Sequence, residues 1–399
     1  MQLMGLLIAV STLFFTGTAQ AADIFNRAGN VPRVDAFEHI TGIREGAFKT
    51  ANKRTQGQIL EEDADGGWWV TNSRTGRRWY AGTFIDPTVA ELGEEIEEAS
   101  RGRKAKKRQG RFNVVVGHNP QRLSPQQRRQ IDITALQADP ANAYAVFQVA
   151  SRHNCLEGAG EDVTDYTHVR AQGELAAVSA MPGTIVRRYG LPPIDLLRDL
   201  ASPLFRLGGR GAYKTFSLRG SSVADLRKAA KFDPLQVRVG IHMDTQVSFG
   251  MVSGASHMLC LNEDQHIIQV YTAAVDMGLN DASYFSKTAY SYVETIAQQM
   301  LIAAYEGTLL AAVRYGEQIS ELKHERQQVF LTLMGCGVFN NKLEWVERAI
   351  EHGMDAIVDH NLDVTLVVFD AASHADMPEF LAAMRAHVDA THGTYTDIR

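Results

Sequence analysis

Four acidic side chains stand where they could take part in acid–base chemistry. Each follows an apolar, strand-like run or lies near a predicted helix start, and they are Asp244, Glu157, Glu174 and Asp165. A carboxylate held beside fixed polar groups can protonate a leaving group or activate a water molecule. Asp244 and Glu157 come first because each directly follows a predicted strand. The alternative is structural, because acidic residues at helix starts commonly serve as caps.

A glycine loop could supply a second kind of chemistry, the binding of phosphate. The apolar run 329–333 leads into Gly335 and Gly337, and an amphipathic helical pattern follows over 342–352. The first turn of a helix leaves N–H groups unpaired and partly positive, and glycines let a diphosphate approach the backbone. A tight turn without a ligand also needs glycine, and the pattern alone does not choose between these two interpretations.

The loop matches neither of two common phosphate motifs. No Lys followed by Ser or Thr closes it, and Asn340 stands where the dinucleotide fingerprint has its last glycine. Cys336 inside the loop could be a reactive thiol, but filling of a tight turn is the favoured account. The three cysteines, which also include Cys155 and Cys260, fit neither a zinc site nor a disulfide framework by their spacing.

Strand-like runs alternate with helical patterns along most of the chain. The predicted strands are 112–116, 144–150, 237–241, 267–274, 330–333 and 366–369, and the predicted helices are 173–189, 290–313, 343–352 and 378–388. Such alternation predicts an α/β fold with a mostly parallel sheet and helices on both faces. Ligands bind such sheets at the carboxyl ends of the strands.

Candidate binding residues are therefore sought just after these runs. They are Asn154, Gln172, Gly173, Gln246 and Asp370, together with the aromatic Phe369. A phenylalanine at the end of a strand could stack on a base, or it could simply close the core.

The sequence pattern of the N-terminal third differs from that of the rest of the chain. A turn over 72–76 between aromatic runs predicts a hairpin, and Trp68, Trp69 and Trp79 are interpreted as the core of a small sheet rather than as a binding face. An acidic-to-basic switch over 91–111 predicts a solvated helix and a basic link, which we take as the domain boundary. A nucleic-acid-binding arm is the minority interpretation, because the chain is acidic overall and no aromatics interleave the basic residues.

The first residues resemble a secretory signal. An apolar run over 3–15 precedes Ala19, Gln20 and Ala21, a site at which a signal peptidase could cut before Ala22. The signal predicts a secreted or extracytoplasmic protein with no membrane span in the mature chain. An N-terminal helix packed on the domain is the alternative, and it would leave the protein cytoplasmic.

Composition limits the function classes. The chain has 399 residues, of which 45% are hydrophobic and 22% charged, values that are ordinary for a soluble globular protein. A net charge of -6 gives no general case for nucleic acid or an anionic membrane. No spacing predicts a metal site, and no cofactor is predicted.

Several of these stretches together resemble the macrodomain superfamily, in particular the branch that includes poly(ADP-ribose) glycohydrolase. Residues 330–341 look like that family's second phosphate loop, and residues 146–157 are similar to its strand ending in an asparagine loop. Residues 172–189 and 239–247 add weaker similarity. The resemblance covers about residues 132–388.

The resemblance implies a three-layer α/β/α macrodomain-like fold with a small N-terminal α+β extension, and ADP-ribose bound at the strand ends. It implies that the diphosphate is held by Gly335, Cys336, Gly337, Val338, Phe339 and Asn340. Phe339 would then pack on the distal ribose and Asn154 would face that ribose. Phe369 and Asp370 would lie near the adenosine.

Two departures from the family concern catalysis. The triple glycine of the family is here Gly158, Ala159 and Gly160, and the paired glutamates are here a single one, Glu174.

The function implied is an ADP-ribosyl hydrolase that cleaves the bond between the distal ribose and a protein or polymer, through an oxocarbenium-like state. The alternatives are a module that reads ADP-ribose without cutting it, and an interaction protein with a decayed cleft. The predicted partner is ADP-ribose or an ADP-ribosylated protein, without nucleic acid. The predicted organisation is a signal (1–21), a module with a charged linker (22–111) and a macrodomain-like domain (112–399).

Overall fold

The structure is a computed structural model that describes residues 30–32, 35–101, 110–156, 178–206, 217–253, 256–316 and 326–399. The proposed signal segment lies outside these ranges. So do three candidate carboxylates and two candidate binding residues, namely Glu157, Asp165, Glu174, Gln172 and Gly173.

The strands of the described residues form two sheets. In chain order the strands are β1 (Asn30–Pro32), β2 (Leu60–Glu62), β3 (Trp68–Thr71), β4 (Arg78–Ile85), β5 (Arg111–Gly117), β6 (Val146–Ala150), β7 (Gly240–Gln246), β8 (Phe249–Ser253), β9 (Ser256–Leu259), β10 (His266–Thr272), β11 (Gln327–Thr332), β12 (Leu362–Val368) and β13 (Tyr395–Ile398). The central sheet has the spatial order β13-β5-β12-β11-β6-β10-β7-β4-β3-β2, and β1, β9 and β8 form a small separate sheet. From β13 to β10 every neighbouring pair is parallel, and from β10 to β2 every pair is antiparallel.

Helices cover both faces of the central sheet. They are α1 (Ala36–Thr41), α2 (Glu45–Thr50), α3 (Lys53–Ile59), α4 (Val89–Ser100), α5 (Pro125–Arg128), α6 (Ile133–Ala138), α7 (Met181–Ile185), α8 (Val223–Ala229), α9 (Lys287–Ala311), α10 (Leu343–His352), α11 (Met354–Asp359) and α12 (Met377–Ala390). Single π-helical turns, Val186–Gly190 and Ala312–Gly316, extend α7 and α9.

The larger core lies between one face of the sheet and the layer that contains α4, α8, α9, α10 and α12. Val114, Val270 and Leu331 enter it from the strands, and Ile296 and Val346 enter it from α9 and α10. On β5, Phe112, Val114 and Val116 occupy alternate positions, as expected where one face of a strand packs on helices. The layer's central helix is α9, which contacts α4, α8 and α10.

Smaller cores fill the other face. Phe147 and Phe330 stack at 4.8 Å between ring centroids beneath α6, and Trp79 is buried with Phe37 and Met181 beneath α1 and α7. The predicted arrangement, a mixed and mostly parallel sheet between helical layers, is confirmed.

One described helix is long and apolar enough to cross a membrane. It is α9 with its π-helical turn, Lys287–Gly316, and 72% of its most apolar window is buried inside the fold. That burial is what the central helix of a core layer requires.

Local sequence patterns predict the helix and the strand that flank the glycine loop. Leu343, Val346 and Ile350 recur at three- and four-residue spacing and are all buried, so α10 spans the predicted range. The preceding strand, predicted over 330–333, is β11 and begins three residues earlier, at Gln327.

The hairpin predicted in the N-terminal module is confirmed as β3 and β4. Its strand β4 pairs with β7, so the hairpin extends the central sheet. The division into a module and a main domain stays a prediction.

The strand predicted over 237–241 is wrong in its position. The structure has β7 at Gly240–Gln246, antiparallel to β10. His242 and Asp244 are therefore inside the strand and do not follow it.

Candidate ligand-binding site

The carboxyl ends of the parallel strands bring three loops to one edge of the sheet. The glycine loop, residues 333–341, follows β11, and its neighbours follow β6 and β10. The loops after β6 and β10 are joined where Ser151 N donates to Thr272 O at 2.9 Å. Ligands of parallel α/β sheets bind at this edge.

Gly335 is required by the shape of the glycine loop. Its φ is +72°, in the left-handed region that other residues adopt only with strain. A Cβ at this position would lie 2.5 Å from Ala274 Cβ and 2.6 Å from Asn341 Nδ2. Gly335 therefore serves the fold of the protein itself, whatever ligand binds.

Gly337 differs from Gly335. A Cβ on Gly337 would meet no protein atom within 4 Å. The neighbouring Val338 is 91% exposed, so the tip of the loop is open to solvent. A glycine at 337 is therefore not required by the packing of the described residues.

Asn341 closes the glycine loop through hydrogen bonds from its side chain and its backbone, which we call the Asn341 clasp. Its Nδ2 donates to Val275 O at 2.8 Å and to Gly335 O at 3.2 Å, and its backbone N–H donates to Gly335 O at 3.0 Å. The side chain is buried, and among the described residues its Oδ1 has no hydrogen-bond partner. The clasp joins both ends of the loop to the segment after β10.

Tyr305 fixes the junction between β11 and the loop. Its hydroxyl donates to Thr332 O at 2.6 Å and accepts from Met334 N at 3.1 Å. Burial in the core raises the pKa of this tyrosine well above its ordinary value, so the hydroxyl stays protonated and can donate. On the neighbouring strand, Gln148 Oε1 accepts from Thr332 N at 3.2 Å.

The tip of the glycine loop presents backbone donors. The N–H groups of Gly337, Val338 and Phe339 have no hydrogen-bond acceptor among the described residues, whereas Asn340 N donates to Gly337 O at 3.0 Å. Consecutive free N–H groups before a helix favour an anion. The following helix α10 is ten residues long and adds the positive end of its dipole.

Asn154 offers a further donor after β6. The residue is 4% exposed, and its Oδ1 accepts from Leu156 N at 3.1 Å. Its Nδ2 has no partner among the described residues. A buried amide donor without a partner is costly, so the site favours a ligand oxygen or a water molecule beside it.

The aromatic candidates are both partly buried. Phe339 packs against the larger core, and its carbonyl oxygen accepts from Met277 N at 2.8 Å. Phe369 packs against the smaller core that contains Ile131. Asp370, which follows it, accepts from Ala372 N at 3.1 Å and from Asn119 N at 3.4 Å, so its carboxylate organises the local turn.

Cys336 is a packing residue in this structure. It is 1% exposed and belongs to the larger core. Burial raises the pKa of its thiol to about 12, which disfavours the thiolate that a reactive cysteine needs. The interpretation that it fills a tight turn agrees with this position.

Asp244 and Gln246 lie at the opposite edge of the sheet. Because β7 is antiparallel to β10, Gln246 pairs with His266 at the start of β10 and not at its carboxyl end. Asp244 Oδ1 lies 2.9 Å from His266 Nδ1, and Gln246 Oε1 accepts from Tyr80 N at 3.0 Å. The expectation that these two residues share an edge with the glycine loop is wrong.

Sequence reasoning missed the residues that hold the loop. Asn341 and Tyr305 act through tertiary contacts with residues 66 and 27 positions away. The available signals were an asparagine at the end of the glycine loop, just before a predicted helix, and a tyrosine within a largely apolar helical stretch. Among the described residues, no group of three His, Cys, Asp or Glu side chains is placed to hold a metal ion.

No family model and no curated protein sequence matches the chain. Among solved structures, it is similar to poly(ADP-ribose) glycohydrolase from Thermomonospora curvata, with 13% identity, a TM-score of 0.40, and coverage of 89% of this chain and 98% of that one. Poly(ADP-ribose) glycohydrolase from Deinococcus radiodurans in complex with ADP-ribose has 14% identity and a TM-score of 0.37, covering 77% of this chain and 94% of that one.

Proposed function

We propose that the chain binds ADP-ribose at the glycine loop and hydrolyses the bond between the distal ribose and a protein or polymer. The observation that carries the proposal is the set of free N–H groups of Gly337, Val338 and Phe339 at the carboxyl end of β11. A diphosphate is a ligand whose charge and oxygen spacing suit such a set. The motif similarity of residues 330–341 to a macrodomain phosphate loop supports the same ligand.

Preorganisation of the loop supports binding as well. Asn341 and Tyr305 hold the two ends of the loop from buried positions, so little backbone entropy is lost when the ligand binds. Asn154 supplies an amide donor from the adjacent strand end, which suits a ribose hydroxyl.

Hydrolysis requires a carboxylate near the anomeric carbon, because the transition state is oxocarbenium-like. Three of the four candidates, Glu157, Glu174 and Asp165, lie outside the described residues. The fourth, Asp244, is at the opposite edge of the sheet from the loop. We therefore assign the acid–base role to the first three, with Glu157 first because it lies closest in sequence to β6.

A second function, the binding of ADP-ribose without hydrolysis, is favoured by the hydrogen-bond donors at this edge. The described groups assigned to the diphosphate and the distal ribose are donors, namely the loop N–H groups and the Asn154 amide. Donors explain recognition and not cleavage. A module that reads ADP-ribose without cutting it would need only them.

Calorimetric titration with ADP-ribose tests the shared part of both functions. We expect wild-type binding and its loss in Gly337→Val, since the new side chain enters open space where the ligand would lie. Gly46→Val is the matched control. Gly46 is exposed on α2, and a Cβ at this position, as at Gly337, would meet no atom within 4 Å. Equal binding by all three proteins would exclude the glycine loop as the site.

Release of free ADP-ribose from an ADP-ribosylated protein then separates the hydrolase from the reader. A hydrolase releases product, and Glu157→Ala, Asp165→Ala or Glu174→Ala abolishes release while titration with ADP-ribose still shows binding. A reader binds and releases nothing.

A further inference from the structure

Four aromatic rings form a continuous row at the edge of the sheet opposite the glycine loop. The ring centroids of Trp69 and Tyr80 are 4.8 Å apart, those of Tyr80 and His266 are 5.9 Å apart, and those of His266 and Tyr144 are 6.2 Å apart. All four residues are partly exposed. We call Trp69, Tyr80, His266 and Tyr144 the aromatic row.

The row stands on one defined face of the sheet. Val70 and Trp79, the sequence neighbours of Trp69 and Tyr80, are buried in the core beneath α1 and α7. Successive side chains of a strand point to opposite faces, so Trp69 and Tyr80 project from the other face. Of these hairpin tryptophans, Trp79 is therefore buried in the core, whereas Trp69 lies at the surface.

Carboxylates surround the aromatic row. Asp63 Oδ2 accepts from Trp69 Nε1 at 3.1 Å, and Asp244 Oδ1 lies 2.9 Å from His266 Nδ1. Burial raises the pKa of Tyr80, and the negative charges of Asp244 and Asp63 raise it further. The surface thus combines partly exposed aromatic side chains with the negative charges of Asp63 and Asp244.

Asp244 is held in place by two unusual backbone conformations. Its own φ is +57°, and Gly82 on the adjacent strand has a φ of +83°. A Cβ on Gly82 would lie 1.9 Å from Met243 O, so only glycine allows β4 to approach this part of β7. The Asp244 side chain remains 41% exposed beside the row.

The row already holds one cation from this chain. The guanidinium carbon of Arg78 lies 4.5 Å from the centre of the Trp69 ring, and Arg78 Nη2 is 3.0 Å from Glu61 Oε2. An aromatic face with a carboxylate beside it is the arrangement that binds guanidinium and ammonium groups. Further along the row, Tyr80 combines an aromatic ring with the nearby negative charge of Asp244 in the same way.

We propose that the aromatic row, with Asp63 and Asp244, is a docking surface for a cationic peptide segment, whose arginine or lysine side chains lie over the rings. Charge complementarity selects this occupant, because the carboxylates beside the rings disfavour an anionic ligand such as a nucleic acid. The seven residues of β10 separate the row from the edge of the glycine loop, a span of roughly 20 Å. The surface is independent of the ADP-ribose site and does not rest on its function.

Titration of the full chain with a synthetic peptide of alternating arginine and glycine tests the surface, at an ionic strength of about 0.15 M where long-range attraction is screened. We expect saturable binding that Trp69→Ala and Asp244→Asn each weaken about fivefold or more, as loss of a cation–π contact or its carboxylate predicts. A peptide of alternating glutamate and glycine should not bind.

Two controls make the result specific. Asp389→Asn removes the same charge from an exposed position on α12 and should bind like wild type. Gly337→Val should also bind the peptide normally, and a cooperative thermal unfolding transition in each variant establishes that it is folded. Absent binding, or equal binding by wild type, Trp69→Ala and Asp244→Asn, would overturn the proposal.

Discussion

The side-chain amide of Asn341 donates a hydrogen bond of 2.8 Å to the backbone carbonyl oxygen of Val275. This contact ties the glycine loop after β11 to the segment after β10, although β6 lies between these two strands in the sheet. The same amide group reaches Gly335 O at 3.2 Å. One side chain therefore determines both the closure of the loop and its position relative to its neighbour.

Asn341→Asp should disrupt that clasp. The substitution keeps the shape of the side chain but replaces a donor with a carboxylate oxygen facing carbonyl oxygens, so we expect a loss of about 1–3 kcal/mol in the free energy of unfolding. ADP-ribose affinity should fall by at least about tenfold, since each 1.4 kcal/mol is a factor of ten. Urea unfolding and calorimetric titration measure the two effects.

Asn340→Asp is the matched control for added charge at this loop. Asn340 is exposed and adopts a φ of +54°, which Asp tolerates. It should leave the free energy of unfolding almost unchanged. If both variants unfold alike, the clasp does not stabilise the loop.

Tyr305→Phe removes one hydroxyl and leaves the ring in the core. Met334 N and Thr332 O then lose a buried partner, so the free energy of unfolding should fall by about 1–3 kcal/mol. ADP-ribose should bind several-fold more weakly, because the start of the loop is no longer fixed. Tyr292→Phe on the same helix is the control, and a Tyr305 variant with wild-type stability and affinity would contradict this role.

The two loop glycines should respond differently to alanine. Gly335→Ala introduces a Cβ at a φ of +72° and within 2.5 Å of Ala274, so it should lower the free energy of unfolding by about 1 kcal/mol or more. Gly337→Ala meets no protein atom within 4 Å and should leave stability near wild type. Thermal unfolding measures the contrast, and equal destabilisation by both substitutions would refute it.

The pair of Asp244 and His266 should make stability depend on pH. Burial opposes charge on His266, but the hydrogen bond and negative charge of Asp244 outweigh it and raise the pKa of His266 above 6.5. A raised pKa in the folded state means that the stabilisation is fully present below the ordinary pKa and is lost as pH rises through the raised one. The pair should therefore contribute most near pH 6 and little near pH 9, on the order of 0.2–1 kcal/mol.

Asp244→Asn isolates that contribution, because Asn tolerates the positive φ of this position. The difference in unfolding free energy between wild type and Asp244→Asn should shrink as pH is raised from about 6 to about 9. Asp389→Asn should show no such trend. A difference that grows with pH would show that His266 is not held in its charged form.

Local pattern was enough to predict several elements that build the candidate site. The apolar spacing of Leu343, Val346 and Ile350 predicts α10 at its observed range. The predicted strands 144–150, 330–333 and 366–369 overlap β6, β11 and β12, but the observed strands begin two to four residues away from the predicted starts. The loop between β11 and α10 followed from its two glycines. Each of these signals depends on residues close together in the chain.

The direction of β7 could not be predicted in that way. A strand has the same alternating pattern whichever way it runs, and its direction depends on which neighbour it pairs with. Pairing with β10 in antiparallel register moved Asp244 and Gln246 to the edge opposite the glycine loop.

The sequence by itself determined that a buried strand, a glycine loop and an amphipathic helix follow one another at residues 329–352, because backbone freedom and hydrophobic period are local properties. Only the tertiary structure decided how that loop is held and what faces it. The hydrogen bonds of Asn341 and Tyr305 join residues 66 and 27 positions apart, and the aromatic row joins Trp69 and Tyr80 from the hairpin to His266 of β10. Such contacts depend on strand order and direction, which arise from packing the sheet between its helical layers.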